Sequence, residues 1–253
     1  MKRRNYKYFI RKSHRYLGIF IGLQFLLWTL GGLYFSWTNI KDIRGENLRK
    51  EKENLDVSAI GVSPKTAIDE ISRTRNASEI IKIQFVELLG ESFYEIRYRS
   101  GKRIETVLAS AADGKIRLPV SEDEAKKIAA ESLYAPPNIK QINYLTEEDT
   151  SAHHEYRERP LPAWAVTFEN NLTVYLSAET GQVQTVRTDG WRVFDFFWML
   201  HTMGFEDRDN INNYLLRAFS VLGIVTICSG FLLFLTSSKF FGRRFSKSSK
   251  QNN

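Results

Sequence analysis

The sequence predicts an α+β protein: an ectodomain of two tandem helix-plus-antiparallel-sheet repeats, held between two transmembrane α-helices. Three observations predict it. Two long apolar runs carry almost no charge, basic residues cluster outside those runs, and the order of helix and strand signals between them is read twice.

The first run, Leu17 to Thr38, has 22 residues without a charge, and Gln24 is its only strongly polar side chain. At ~1.5 Å per residue it spans the ~30 Å hydrocarbon core of a bilayer. It exceeds the usual ~7–15-residue apolar part of a secretory signal, and no small-residue cleavage pattern follows, so an uncleaved span is expected. The second run, Tyr214 to Ser238, carries only Arg217, close enough to one end to snorkel to the interface. Lys2, Arg3, Arg4, Lys7, Arg11, Lys12 and Arg15 precede the first run, and Lys239, Arg243, Arg244, Lys247 and Lys250 follow the second. The tails 1–16 and 239–253 thus hold 12 of the 36 Lys and Arg and none of the 29 Asp and Glu, leaving 24 basic against 29 acidic residues, a balance of −5. The formal charge of +7 is therefore a property of the tails. Such tails set topology and touch anionic lipid headgroups, so the bilayer is the expected partner and nucleic acid is not. The positive-inside rule puts both termini in the cytoplasm and residues 39–190 on the far side. The single cysteine, Cys228, lies in the second run, so the ectodomain has no disulfide and must fold on its core.

The expected organisation is a basic tail (1–16), a span (17–38), a tether (39–58), a first repeat (59–118), a second repeat (119–188), an interfacial aromatic helix (189–204), a second span (214–238) and a basic tail (239–253). Ser63 and Pro64 start a helix, as N-cap and first helical residue, with Ala67, Ile68 and Ile71 on its apolar face. Strand patterns follow at 80–89, 92–99 and 103–109, and Asp113-Gly114 turns into a short run at 115–118. The order then repeats. Ser121 and Glu124 make a capping box for a helix stopped by Pro136-Pro137. Strand patterns recur at 140–145, 163–169 and 172–176, and Thr180-Gly181 turns into 182–187. A period of this length points to duplication of one α+β module.

The repeated features are a capped helix entry (Ser63 with Ala67, Ser121 with Ala125), a central strand (Tyr94-Glu95-Ile96, Trp164-Ala165-Val166) and a closing hairpin (Asp113-Gly114-Lys115-Ile116, Thr180-Gly181-Gln182-Val183). Each resembles the PepSY domain. His14-Arg15-Tyr16-Leu17-Gly18 is similar to the "H-R-x-L-G" entry to the first span of the PepSY-associated transmembrane family, and Leu200-His201-Thr202 to its "L-H" before the last span. The resemblance runs over about residues 10–238. It implies a bacterial inner-membrane protein with a periplasmic ectodomain. It also implies two functions of different class. One is a haem-binding accessory of transmembrane electron transfer in iron or siderophore reduction, since larger members carry haem on histidines of their spans. The other is a non-enzymatic anchored module that binds or restrains a periplasmic partner such as a peptidase, sensor or assembly factor. Only two spans are present here, too few for the full set of ligands in the larger members.

The haem candidates are His14 and His201. His14 stands at the cytoplasmic mouth of the first span, and Gly18 and Gly22 continue from it in steps of four, a smooth face for a homodimer or another helix. The competing reading is a tight helix contact with an interfacial histidine. His201 ends the run Trp191–Met203, which is apolar nearly all round and too short to span. It shares a face with Phe194, Phe197 and, less closely, Trp198, an aromatic nest for a haem edge, and the competing reading is a segment that glues the ectodomain to the bilayer. Met199 or Met203 is the alternative ligand there. Asp195 lies about 240° around the helix from His201, so a cap or an Arg192 contact is expected of it instead. With the two histidines at opposite faces ~30 Å apart, one iron is out of reach of both, and two haems would need a dimer. His153 and His154 sit in a polar loop with Glu147, Glu148, Asp149 and Glu155, a weak transition-metal candidate, since adjacent residues of an extended chain point opposite ways. No G-x-S-x-G, H-E-x-x-H or phosphate loop appears, so no hydrolase or nucleotide enzyme is expected.

Overall fold

The computed structural model describes residues 6–51 and 57–237. Most of the tail residues that set the expected topology, and part of the tether, lie outside these. The chain divides into two compact units, residues 38–194 and a helical unit made of residues up to 37 together with those from 195 on.

In the helical unit, α1 (Tyr6–Trp37) and α6 (Tyr214–Ser237) are both long and apolar enough to cross a membrane. The two run antiparallel, because His14 meets Ser229 and Gly230 while Phe25 meets Gly223. The seam of α1 runs through His14, Ile21 and Phe25, at steps of seven and four, and Ile21 is fully buried. That spacing is the period of a left-handed helix pair.

The ectodomain begins with the segment read as a tether, which is anchored at a few points. Asn39 caps α2 (Ile40–Ile43), Ile43 is buried, and the chain pairs with the second repeat through Lys50 N to Ser132 O (2.9 Å) and Tyr134 N to Leu48 O (3.1 Å). The reason is local: an apolar residue in a charged stretch packs beside Gly190, and Gly45, two residues on, fits against Val186.

The first repeat is α3 (Pro64–Arg75) with an antiparallel sheet β1 (Glu79–Leu88), β2 (Glu91–Ser100) and β3 (Arg103–Ser110). Ser63 Oγ accepts from Lys65 N at 3.2 Å and Pro64 takes the first turn, as the sequence requires. The run at 115–118 forms only a bridge, Ala109 to Ile116, so this sheet has three strands. In the second repeat, α4 (Glu122–Glu131) opens on the full capping box of Ser121 and Glu124, followed by a four-stranded sheet β4 (Ile139–Leu145), β5 (Ala163–Phe168), β6 (Thr173–Ser177) and β7 (Val183–Arg187). Arg117 donates to Glu124 at 2.5 Å; burial opposes its ionisation, but the Ser121 bonds and Arg117 prevail and hold its carboxyl below the usual range.

Strand alternation divides β2 between two cores. Tyr94, Ile96 and Tyr98 face α3, packing on Ala67 and Ile71. Phe93 points the other way and joins Val86, Leu88 and Leu108 in one core with Ile128 and Leu133 of the α4 segment and Val166, Phe168, Val174, Leu176 and Val186 of the second sheet. The first repeat therefore closes one core of its own on α3 and shares a second with the other repeat. Gly181 marks the seam: at φ +65°, a Cβ there would stand 2.7 Å from Leu88 and 3.1 Å from Ile128. Only glycine meets both demands.

Part of the outer face of the second sheet is covered by residues 146–162, a mostly exposed segment held by one buried anchor. Tyr156 is fully buried, stacks on Tyr175 with centroids 4.8 Å apart, and encloses Leu145, Ala163 and Ala165. This strap leaves part of the sheet face open. The last ectodomain turn leads into α5 (Asp189–Thr202), a continuous helix within which the boundary between the units falls.

Candidate functional site

His14 is half-buried, its Nδ1 2.7 Å from Ser229 Oγ, and Ser229 Oγ in turn donates to Thr226 O at 2.7 Å. A Cβ on Gly230 would lie 3.2 Å from His14 Cε1 and 3.8 Å from Nε2, so the absent side chain is what leaves room for the ring. Gly223 does the same for Phe25, at 2.9 Å. The small residues of this helix contact belong to α6. On α1, nothing among the described residues lies within 4 Å of where a Cβ of Gly18 or Gly22 would stand.

His201 is placed by α1. The C-terminal half of α5 runs back along it, with Phe197 on Tyr34 (5.0 Å) and Trp198 on Phe35 (6.2 Å). The His201 ring lies 6.0 Å from that of Trp28 and 5.9 Å from that of Phe35, and Trp28 Nε1 donates to the His201 carbonyl at 2.9 Å. Its Nδ1 is buried without a hydrogen-bond partner. Two rings of α1, Trp28 and Phe35, thus take part in its aromatic setting. Asp195, 3% exposed, pairs with Arg208 in the loop before α6, a partner the sequence reading did not name. Gly204 lets that loop fold tightly back, a Cβ there meeting Asp207 O at 2.7 Å.

Along α1, His201 is level with residues 28–35, which are 14 to 21 residues from His14 and so ~21–32 Å away. No single iron bridges that distance. As a test of fit to haem, each histidine has one favourable feature. His201 offers an orphaned ring nitrogen among aromatic rings, and His14 has Nδ1 committed to Ser229 while no partner takes Nε2 among the described residues. A ligating imidazole held at its other nitrogen is the usual arrangement at metal sites. The residues present are compatible with the group.

The open part of the second sheet forms a cleft of about 460 Å³, lined by Asn143, Thr167 and Thr173 from the strands, His154 and Glu155 from the strap, and Arg192 from α5. Glu155 organises it. It accepts from Tyr175 Oη at 2.7 Å and from Arg192 Nε and Nη2 at 2.8 and 3.0 Å, while its carbonyl accepts from Arg187 Nε at 2.9 Å. Arg187 lies 3.9 Å over the Trp191 ring, and burial, with Arg159 and Arg157 nearby, pushes its pKa down to about 10. Arg192 goes the other way: burial opposes its charge, but Glu155 and Asp189 hold it above the usual value. His154 Nδ1 accepts from Tyr156 N at 3.1 Å, so that nitrogen serves the strap. Among the described residues no group of three His, Cys, Asp or Glu is gathered for a metal. Sequence reasoning missed this cleft. Its only signal was the odd density of charge in 147–159, which reads equally as a solvated loop.

The family model of the PepSY-associated TM region matches residues 11–253. No curated protein and no solved structure gives a significant match to the chain. With its two spans around an α+β ectodomain and a match over nearly its whole length, the chain is a membrane protein that belongs to the PepSY-associated TM family.

Proposed function

We propose that the chain is a haem-binding accessory of transmembrane electron transfer in iron or siderophore reduction, set in the bacterial inner membrane with both termini in the cytoplasm and the ectodomain in the periplasm. The observation that carries the reading is the orphaned Nδ1 of His201, buried between Trp28 and Phe35. An unsatisfied buried nitrogen costs ~1–3 kcal/mol, and such an atom in a native fold calls for a group that completes it. Haem, when bound, supplies one-electron chemistry. His14 and His201 would hold it at the two levels of the span. Each needs a second axial ligand, which a second copy of the chain supplies across the open α1 face at Gly18 and Gly22. The acid-free tails support the orientation. The second reading, an anchored module that binds or restrains a periplasmic partner, is favoured by the cleft beside Glu155.

The test is the spectrum of the detergent-purified chain from haem-replete cells. A Soret band with reducible α-bands is expected, and a pyridine haemochrome assay should count about two haems per dimer. His14→Ala and His201→Ala should each remove one of the two, and His153→Ala with His154→Ala should leave the spectrum unchanged. A colourless protein refutes the haem reading and leaves the anchored module.

A further inference from the structure

We infer that Ser229 and Gly230 are positioning residues for His14: Ser229 selects the tautomer that leaves Nε2 with its lone pair, and Gly230 keeps that edge of the ring open. The ligand role of Nε2 rests on the haem reading; the tautomer does not.

The inference follows from counting protons. A serine hydroxyl has one, and Ser229 spends it on the Thr226 carbonyl, 2.7 Å away and three residues back on the same helix. A carbonyl oxygen cannot donate, so the proton of that contact is the serine's. The 2.7 Å contact to His14 therefore has Ser229 Oγ as acceptor and His14 Nδ1–H as donor. A neutral imidazole has one N–H, and the hydrogen bond at one nitrogen decides the state of the other. The neutral His14 ring is thus Nδ1–H, with the lone pair on Nε2, the nitrogen on the Gly230 side. The next α6 residue completes the arrangement. Gly230 leaves clearance for the ring: a methyl group there would stand 3.2 Å from Cε1, close enough to displace it, and 3.8 Å from Nε2. Two consecutive residues of α6 thus act on one ring of α1, the first on its proton and the second on its clearance.

The experiment uses the full chain, haem-free and uniformly ¹⁵N-histidine labelled, in detergent. His14→Gln assigns the His14 pair of ring resonances among the four histidines. At a pH where the ring is neutral, a protonated Nδ1 and an unprotonated Nε2 are expected. Ser229→Ala should lower the ratio of Nδ1–H to Nε2–H about tenfold, the loss of one ordinary hydrogen bond, and Ser229→Thr should restore it. Gly230→Ala should move the ring resonances, the crowded ring being displaced. An Nε2–H ring in the parent, or a ratio unmoved by Ser229→Ala, overturns the inference. If the haem spectrum is absent but the tautomer result holds, the haem reading fails alone. If haem is present, Ser229→Ala should also shift the reduction potential of the His14 site and Ser229→Thr return it, which a merely structural serine would not do.

Discussion

Removing the carboxylate of Glu155 tests whether the strap 146–162 is latched or simply lies on the sheet. In Glu155→Ala, Arg192 keeps Asp189 (2.9 Å) and the Asn171 carbonyl (2.7 Å) but loses both oxygens that hold its Nε and Nη2. Tyr175, 3% exposed, loses the acceptor of its hydroxyl. The Glu155 and Arg192 side chains are 20% and 33% exposed, between the fully buried pair, where loss of one partner costs ~3–5 kcal/mol, and the surface pair, worth ~0–1. Adding the orphaned hydroxyl at ~1–3 kcal/mol, a loss of about 2–4 kcal/mol is expected for the ectodomain. With a urea slope of ~1–3 kcal/mol per molar, the midpoint should fall by about 1–2 M. Urea unfolding of the full chain in detergent, followed by circular dichroism, reads this. The double cycle with Arg192→Ala should give a coupling of at least ~1 kcal/mol, because each single change leaves the other charge half-buried. A variant within about 0.5 kcal/mol of the parent, or additive single changes, refutes the latch and makes the contacts of Glu155 incidental.

Two further outcomes follow from the same unit. A fragment covering 38–194 should unfold cooperatively and be more stable than 55–188 by ~3–5 kcal/mol, because the shorter piece loses buried Ile43, the backbone pairing of Leu48 and Lys50, and Arg192 from the latch; equal urea midpoints would show that 39–51 merely rests on the surface. In alkali, burial, offset in part by Arg159, pushes the Tyr156 phenol up to about 12, and burial with Glu105 does the same for Tyr98. An unfolded tyrosine releases its proton near ~10, so between pH 10 and 12 the native chain binds more protons and stability falls; below 10 the contribution is complete. Tyr156 alone should account for about 3 kcal/mol of that fall, and phenolate absorbance titrating entirely near ~10 in the folded chain would rule the assignment out.

What the sequence determined by itself is everything set by neighbours along the chain. A charge-free run long enough to cross a bilayer announces a span, and the positions of Ser63 with Pro64 and of Ser121 with Glu124 announce two helix starts, because capping needs only residues two or three apart. Strand alternation shows in the same way that β2 has two faces, one with Phe93 and one with Tyr94. What it does not carry is which surface each face meets. Periodicity reports burial without naming the partner, so the merger of the repeats through Leu88 and Gly181, and the pairing of Leu48 and Lys50 with the second repeat, were settled only by tertiary structure. The same limit governs the histidines. His14 and His201 stood out by position, yet the groups that decide their chemistry lie on other helices, 215 residues away for Ser229 and 173 for Trp28. A polar side chain's partner across the fold leaves no spacing in the sequence, because the hydrogen bond depends on where the chain returns and not on how far it has travelled.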